Sequence, residues 1–338
     1  ISGGGGLTID TQNPVVTVGT LTSINNNTPS TSLVKNTETI TLTFTSNDIS
    51  GATTLPSVTF KSGGTSYTDS TSVVMGMVPS STQDNATYTA TYTITNADTT
   101  DGKIFYKISS ITDAAGNQGS DVTGSQALFL DTTNPSINPV PTLKSSYGST
   151  AWAKEEEEII LTFTTDVEIQ DPYVIFKYGE SSTNATLLNG ISITNASNDK
   201  KTWEAKYCVT DSSPNGKVWY NITYSDLAGN QGISPNASGG GDLTIDTILP
   251  VVTVGTLTNN TITGDLSGSW AKTDDEITLT FTSNDISGAP IVTFKSGGTS
   301  YTNSTSLVMG PVSSSTQDNA TYTATYTITN ADTTDGKI

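Results

Sequence analysis

The stretch Ala86-Thr-Tyr-Thr-Ala-Thr-Tyr-Thr-Ile-Thr95 alternates without a break. Tyr88, Ala90, Tyr92 and Ile94 fall on one side, and Thr89, Thr91, Thr93 and Thr95 on the other. A period of two with one apolar and one hydroxyl face is the signature of an antiparallel strand, half buried and half solvated. The same pattern recurs outward from it. In Glu38 to Thr45, Ile40, Leu42 and Phe44 alternate with threonines. Pro14-Val-Val-Thr-Val18, Val58-Thr-Phe-Lys61, Lys103 to Ile111 and Ala127 to Leu130 complete the series. No segment shows a 3.6-residue period, and the density of β-branched residues argues against helices.

The series repeats. Ser80 to Ile104 recurs without change as Ser314 to Ile338, and Ile40 to Ala52 as Ile277 to Ala289. Leu7-Thr-Ile-Asp10, Leu128-Phe-Leu-Asp131 and Leu243-Thr-Ile-Asp246 align, which divides the chain into units of 121 and 115 residues within a module of 236. Each of these strands precedes a Thr-x-x-Pro and is counted as the last strand of the domain before it. Residues 1–13 are thus a linker and the last strand of a preceding domain. Domain 1 is 14–131, domain 2 is 132–246, and domain 3 is 247–338, a near-copy of domain 1 without its last two strands. Seven short strands in about 100–120 residues read as an immunoglobulin-like sandwich. The expected fold class is all-β, with tandem Greek-key β-sandwich domains arranged as a rod. The spare front strand and unfinished last domain are expected of a longer array, or of strand addition between copies.

Composition narrows the function. The chain carries 14 Lys+Arg, all of them lysine, against 32 Asp+Glu, a net charge of -18, with no histidine. Such a charge repels nucleic acid and anionic membranes. Lack of histidine removes the commonest general base and transition-metal ligand. The single cysteine, Cys208, permits no internal disulfide and is expected to be a small buried apolar residue. No apolar run approaches the length of a membrane span. The expected location is extracellular or on a cell surface.

Asp113-Ala-Ala-Gly-Asn117 and Asp226-Leu-Ala-Gly-Asn230 are each followed by Gln-Gly. Together with the Asp-Thr-x-x-Pro junctions they resemble the bacterial-type Ig-like repeats of large surface adhesins and extracellular fibrils. That resemblance implies calcium at domain junctions. Sandwich geometry gathers oxygen-bearing residues at one end of each domain. In domain 1 these are Asp10, Asn47, Asp48, Asp113 and Asn117, and in domain 2 Asp131, Asp166, Glu168, Asp226 and Asn230. In domain 3 they are Asp246, Asn284 and Asp285. Oxygen ligands without nitrogen or sulfur suit Ca²⁺. Equally, Asp and Asn start turns by bonding their own backbone, with Gly116 and Gly229 supplying positive φ. A second acidic set, Glu155 to Glu158, Asp274 to Glu276, and Asp98 and Asp101 with Asp332 and Asp335, reads as a solvated charge run or as completion of the next domain's ion site.

Asn-x-Ser/Thr acceptors for N-glycans occur at Asn26, Asn85, Asn184, Asn195, Asn221, Asn236, Asn259, Asn303 and Asn319. Trp152, Trp203, Trp219 and Trp270 are candidate core residues or a sugar platform. Catalysis is not expected, because the carboxylates lie in copied loops and not in one unique cleft. The expected role is a structural subunit of an extracellular fibre or surface rod whose partners are other copies of itself. The alternative is an adhesin or glycan-binding module acting through exposed loops.

Overall fold

A computed structural model describes residues 6–23, 32–47, 56–67, 74–79, 87–98, 100–260, 270–284, 290–297, 308–313, 321–330 and 338. Residues 1–246 form one compact unit and 247–338 a second. The first unit holds two sandwiches with separate cores.

The first sandwich is built from Val16–Ser23 (β1), Leu33–Val34 (β2), Thr39–Ser46 (β3), Ser57–Ser62 (β4), Val74–Pro79 (β5), Thr87–Thr93 (β6), Gly102–Ser109 (β7) and Val122–Leu130 (β8). One sheet runs β1-β3-β6 and the other β2-β8-β7-β4-β5. Every pairing is antiparallel except β2 with β8. The alternation sets the layers. Ile40, Leu42 and Phe44 of β3 and Tyr88 and Ala90 of β6 face inward onto Val58, Phe60, Ile104, Tyr106 and Ile108. The Phe44 and Tyr88 rings stack with centroids 5.3 Å apart. The two-residue β2 and the β5 strand lie outside the alternating segments that identify the other strands.

The second sandwich comprises Thr142–Ser145 (β9), Trp152–Ala153 (β10), Glu158–Thr164 (β11), Tyr173–Tyr178 (β12), Thr186–Leu188 (β13), Ser192–Asn195 (β14), Thr202–Cys208 (β15), Gly216–Thr223 (β16) and Ser238–Ile245 (β17). Its sheets run β14-β15-β11-β9 and β10-β17-β16-β12-β13. In immunoglobulin lettering this is A-B-E-D against A′-G-F-C-C′, so the chain is made of immunoglobulin-like β-sandwich domains. Leu243 and Ile245 are fully buried on β17, which pairs with β16 of its own sandwich.

In the second unit, Val252–Asn259 (β18), Glu276–Ser283 (β19) and Thr321–Thr327 (β22) form one sheet. Ile291–Lys295 (β20) and Val308–Ser313 (β21) form the other. The register of β18 on β19 copies that of β1 on β3, including a bulge at the glycine.

Two expectations are corrected. Cys208 is exposed. Trp203, Ala205 and Tyr207 point inward on β15, so strand parity turns the next residue out. The second acidic set is not a uniform charge run either, since Glu157 and Asp275 are buried in the turns before β11 and β19, as is their equivalent Glu38 before β3. Each ends a Lys-x-x-acid turn whose amide donates to the lysine carbonyl, at 3.3, 3.2 and 3.0 Å. The residue before each acid, Thr37, Glu156 or Asp274, has φ of 73°, 67° or 72°. The Asp275 carboxylate accepts from the Lys272 amide and from Asn259 Nδ2, and its pKa is held below the usual range, first by that amide and then by Asn259. Burial raises the Glu38 carboxyl, against the lowering effect of the Lys35 amide. Asp98 is buried as well and accepts from the Tyr92 hydroxyl and the Thr95 amide.

Candidate functional site: the joint between sandwiches

The loop joining β7 to β8 and the loop joining β16 to β17 carry the two Asp-x-Ala-Gly-Asn motifs, and they fold alike. Asp113 N donates to Asn117 O at 3.1 Å, and Asn117 returns N and Nδ2 to the two Asp113 carboxylate oxygens at 2.8 and 2.7 Å. Asp226 N donates to Asn230 O at 3.1 Å, and Asn230 N and Nδ2 reach Asp226 at 2.8 and 2.9 Å. Gly116 and Gly229 sit at φ of 91° and 85°, where a side chain is disfavoured. Asp113, Asp226 and Asn230 are all buried. Burial alone would raise the Asp113 carboxyl. The hydrogen bonds from Asn117, Gly116 and Ala115 outweigh it and hold the group below the usual carboxylate range.

Each asparagine amide has a further partner. Asn117 Nδ2 donates to the carbonyl of Asp10 at 3.2 Å, and Asn230 Nδ2 to the carbonyl of Asp131 at 3.0 Å. These are equivalent positions of the Asp-Thr-x-x-Pro linker, so the motif's asparagine grips the incoming chain.

A second grip lies just past the linker proline. Val15 N donates to Asn47 Oδ1 at 2.7 Å, and Val251 N to Asn284 Oδ1 at 2.9 Å. At the equivalent place Ser136 gives its amide and hydroxyl to the two oxygens of Asp166, at 2.9 and 2.8 Å. Those bonds, with the Val167 amide, overcome burial and lower the Asp166 pKa.

The joint between the first two sandwiches is also held from the sandwich it leaves. Asp101, at the start of β7, accepts from the amide and hydroxyl of Thr132, both at 2.7 Å, and from the Thr133 hydroxyl. Asp131 N donates to Val34 O at 2.9 Å. Lys35 Nζ crosses to the carbonyl of Gly229, and from the second sandwich Tyr224 OH donates to Pro135 O at 3.3 Å. Burial raises the Asp131 carboxyl, and the neighbouring charges of Asp226 and Asp101 raise it further, against the Thr133 amide. Lys35 and Tyr224 escape sequence reasoning, because nothing in a lone lysine marks a partner in the next domain, and nothing in an inward tyrosine marks a partner in its own linker. The Lys-x-x-acid spacing is the one signal that places Lys35 at a domain end.

The sequence-predicted residues therefore divide. Asp10, Asp113 and Asn117 come together, as do Asp131, Asp226 and Asn230, while Asn47, Asp166 and Asn284 clamp the residue after the proline. Glu168 is exposed. The Asp246 amide donates to Ala153 O at 2.9 Å. Asp48, Asp285, Asp332 and Asp335 lie outside the described residues. Both oxygens of Asp113 and of Asp226 accept from an asparagine, and among the described residues no three of His, Cys, Asp or Glu converge.

Of the glycan acceptors, Asn184 and Asn221 are exposed and Asn195 is half-buried. Asn236 Nδ2 is committed to Ile137 O, and Asn259 Nδ2 to Trp270 O and Asp275. Asn26, Asn85, Asn303 and Asn319 lie outside the described residues. Trp203 is core, Trp219 donates to Gly179 O, and Trp152 and Trp270 are exposed.

No family model and no curated protein sequence matches the chain. Among solved structures it is similar to Rst D1-D2, at 11% identity and a TM-score of 0.28, over 67% of this chain and 100% of that one. It is also similar to the teleost fish polymeric Ig receptor ectodomain, at 9% identity and a TM-score of 0.20, over 68% of this chain and 100% of that one. No helix among the described residues is long and apolar enough to cross a membrane.

Proposed function

We propose that the chain is a structural array of immunoglobulin-like modules in an extracellular fibre or surface rod. Its functional site is the joint, and the joint's task is to fix one sandwich on the next. The observation that carries this reading is the repeated grip of Asn117 on Asp10 and Asn230 on Asp131, reinforced between the first two sandwiches by Asp101 and Lys35. A five-residue linker whose carbonyls, amides and hydroxyls are engaged from both sides has lost the torsional freedom a flexible tether needs. Tandem units with equivalent joints stack as a quasi-one-dimensional array.

The test is a distance distribution between spin labels placed on the first and second sandwiches. The native chain is expected to give one narrow peak, and Asp101→Ala with Asn230→Ala a broad one, both sandwiches staying folded by circular dichroism. A native distribution as broad as the variant's removes the rigid-joint reading. Imaging of the native assembly by electron microscopy then tests the fibre role: uniform filaments support it, and isolated globular particles do not.

A second reading, a glycan-binding module, draws on Tyr147 and Trp152, which stand exposed in and beside one loop of the second sandwich. Binding on a glycan array that Trp152→Ala abolishes would establish it.

A further inference from the structure

The outer face of the sheet β10-β17-β16-β12-β13 carries two indoles and two lysines. Trp152, Lys177, Lys217 and Trp219 each alternate with buried or half-buried residues of their own strands, which turns all four to that face. The register makes them neighbours. Lys177 lies opposite Trp219, Lys217 stands two residues before Trp219 on β16, and Thr244 of β17 lies between Lys217 and Trp152. With strands about 4.8 Å apart and two residues of rise between the rows, the two tryptophan Cα atoms stand roughly 12 Å apart.

Trp219 lies along the sheet and does not stand up from it. Its Nε1 donates to Gly179 O at 2.9 Å, just past β12, and its six-membered ring fills the place over Gly241 of β17, where a Cβ would lie 2.4 Å away. The indole is thus fixed at both ends and half-buried, while Trp152 is 59% exposed. The ion pairs among the described residues engage Lys107 and Lys206, and neither Lys177 nor Lys217 is in one. Two such cations beside an aromatic ring run against the charge of a chain with 32 Asp+Glu and 14 Lys+Arg.

The first sandwich closes the equivalent face. Phe105 stands in the place of Trp219, opposite Lys61, and is 4% exposed. Lys61 Nζ donates to Tyr67 O at 3.3 Å and lies 4.6 Å from the centre of the Tyr67 ring, and Lys103 Nζ lies 6.0 Å from that of Phe105. Six residues after its lysine the second sandwich has Thr183 where the first has Tyr67. Gln126, in the place of Gly241, turns to the other sheet, where Nε2 donates to Gly19 O and Oε1 accepts from Leu21 N, both at 2.9 Å. Among the described residues, the lysines of the first face sit over its own aromatic rings, and those of the second do not.

We propose that this face of the second sandwich binds an anionic oligosaccharide, with sugar rings stacked on Trp219 and Trp152 and acid groups against Lys177 and Lys217. The C–H face of a pyranose matches the negative face of an indole, and a ring already fixed in place loses little freedom on stacking. Lysine meets a carboxylate or a sulfate as a point charge, so the acid groups need no fixed plane. The inference rests on the glycan-binding reading, to which it adds a ligand class and a second indole, and it is independent of the rigid joint.

The experiment titrates the full chain by calorimetry with tetragalacturonate and with sulfated cellotetraose, each against its neutral counterpart, the methyl ester and cellotetraose. Saturable binding of an acidic sugar is expected, at least about tenfold tighter than its counterpart and weakening as salt is added. The acid that binds names the acid group. Lys177→Gln with Lys217→Gln should remove the preference for acid, and Trp152→Ala and Trp219→Phe should each weaken binding, with circular dichroism confirming the fold. Equal binding of acidic and neutral sugars, or an unchanged preference in the lysine variant, overturns the proposal and leaves the Trp152 reading standing. Absence of saturable binding by either acidic sugar also overturns it, and the glycan array then decides the Trp152 reading separately. A glycan found by mass spectrometry on Asn221, two residues from Trp219 on the same face, overturns it as well, by making the chain's own sugar the occupant.

Discussion

The first and second sandwiches share a topology and a joint, and differ almost everywhere else. On β1, β3 and β6 the face turned from the core is threonine, with Thr41 opposite Thr22 and Thr91, and Thr45 opposite Thr17. On β11 and β15 the same face carries Glu158, Glu204 and Lys206, the lysine 3.8 and 3.6 Å from the two carboxylates. Gln126 seals one edge of the first sandwich. Its counterpart, Gly241, has φ of 94° and packs where a Cβ would lie 2.4 Å from the Trp219 ring, and the second sandwich carries a cleft of about 510 Å³ lined by Leu143, Gly240 and Asp242 among others. Tyr92 is bound by Asp98 in one sandwich, and Tyr207 by Ser213 in the other. Yet Asp113 and Asn117 match Asp226 and Asn230 bond for bond. The surface and edges tolerate several solutions because each is local. The joint must satisfy the loop and the incoming linker at once, which leaves few sequences.

The largest expected effect breaks what the two share. Asp226→Ala strands the Asn230 amide and main-chain donors in a buried loop, and about 2–4 kcal/mol of stability should be lost in denaturant unfolding. Asp113→Ala should behave alike, because the geometry is copied. A loss confined to one of them would mean that the sandwiches use the motif differently.

The next pair sharpens a difference. Tyr92 OH donates to a carboxylate, at 2.9 Å to one oxygen, while Tyr207 OH shares a hydrogen bond with a hydroxyl at 2.8 Å. Bonds to charged groups contribute more than neutral ones. Tyr92→Phe should therefore cost about 2 kcal/mol and Tyr207→Phe about 1 kcal/mol. Asp98→Ser, which imports the second sandwich's solution, should reduce the penalty of a subsequent Tyr92→Phe in a double-mutant cycle. Smaller again is Gln126→Ala, which removes the side-chain amide that Gly241 lacks in the second sandwich. Losing two amide bonds to an exposed edge should cost about 1 kcal/mol and accelerate exchange of the Leu21 amide.

How much of this is legible in the sequence depends on the kind of residue. The long strands are plain, because Tyr88-Thr-Ala-Thr-Tyr92 and Ile40-Thr-Leu-Thr-Phe44 have a period no helix shares. The strand Leu243-Thr-Ile-Asp246 is assigned to its own sandwich by its alternation and by the proline that follows. Leu33–Val34 is not legible, since two residues carry no period, and its parallel pairing with β8 depends on the whole fold. The site is half legible. Asp and Asn at fixed spacing mark the loops, but not whether their oxygens face an ion or an amide. Nor does the spacing show that Asn230 Nδ2 meets Asp226 and Asp131 together. Glu157 and Asp275 read as surface charge because their neighbours are acidic, and only the positive-φ turn carries them inside.

The smallest effect separates the two carboxylates of the joint that are pushed in opposite directions. The Asp166 pKa is lowered by its bonds to Ser136 and Val167, so its charge stabilises the fold above the unfolded value of about 3.9 and that gain is lost as pH falls through the folded value. The Asp131 pKa is raised by burial and by Asp226, so its charge opposes folding at neutral pH, and the cost disappears once pH falls below the unfolded value. Asp131→Asn keeps an oxygen for the Thr133 amide and removes the repulsion. It should stabilise the chain by up to about 0.5 kcal/mol at pH 7, with the gain shrinking to nothing below about pH 4. Asp166→Asn should do the reverse, destabilising at pH 7 and converging with the native chain in acid. Thermal unfolding of both variants from pH 3 to 7 checks the signs. If Asp131→Asn destabilises at neutral pH, the Asp131 carboxylate is a holding group of the joint, and its closeness to Asp226 is not the source of strain inferred here.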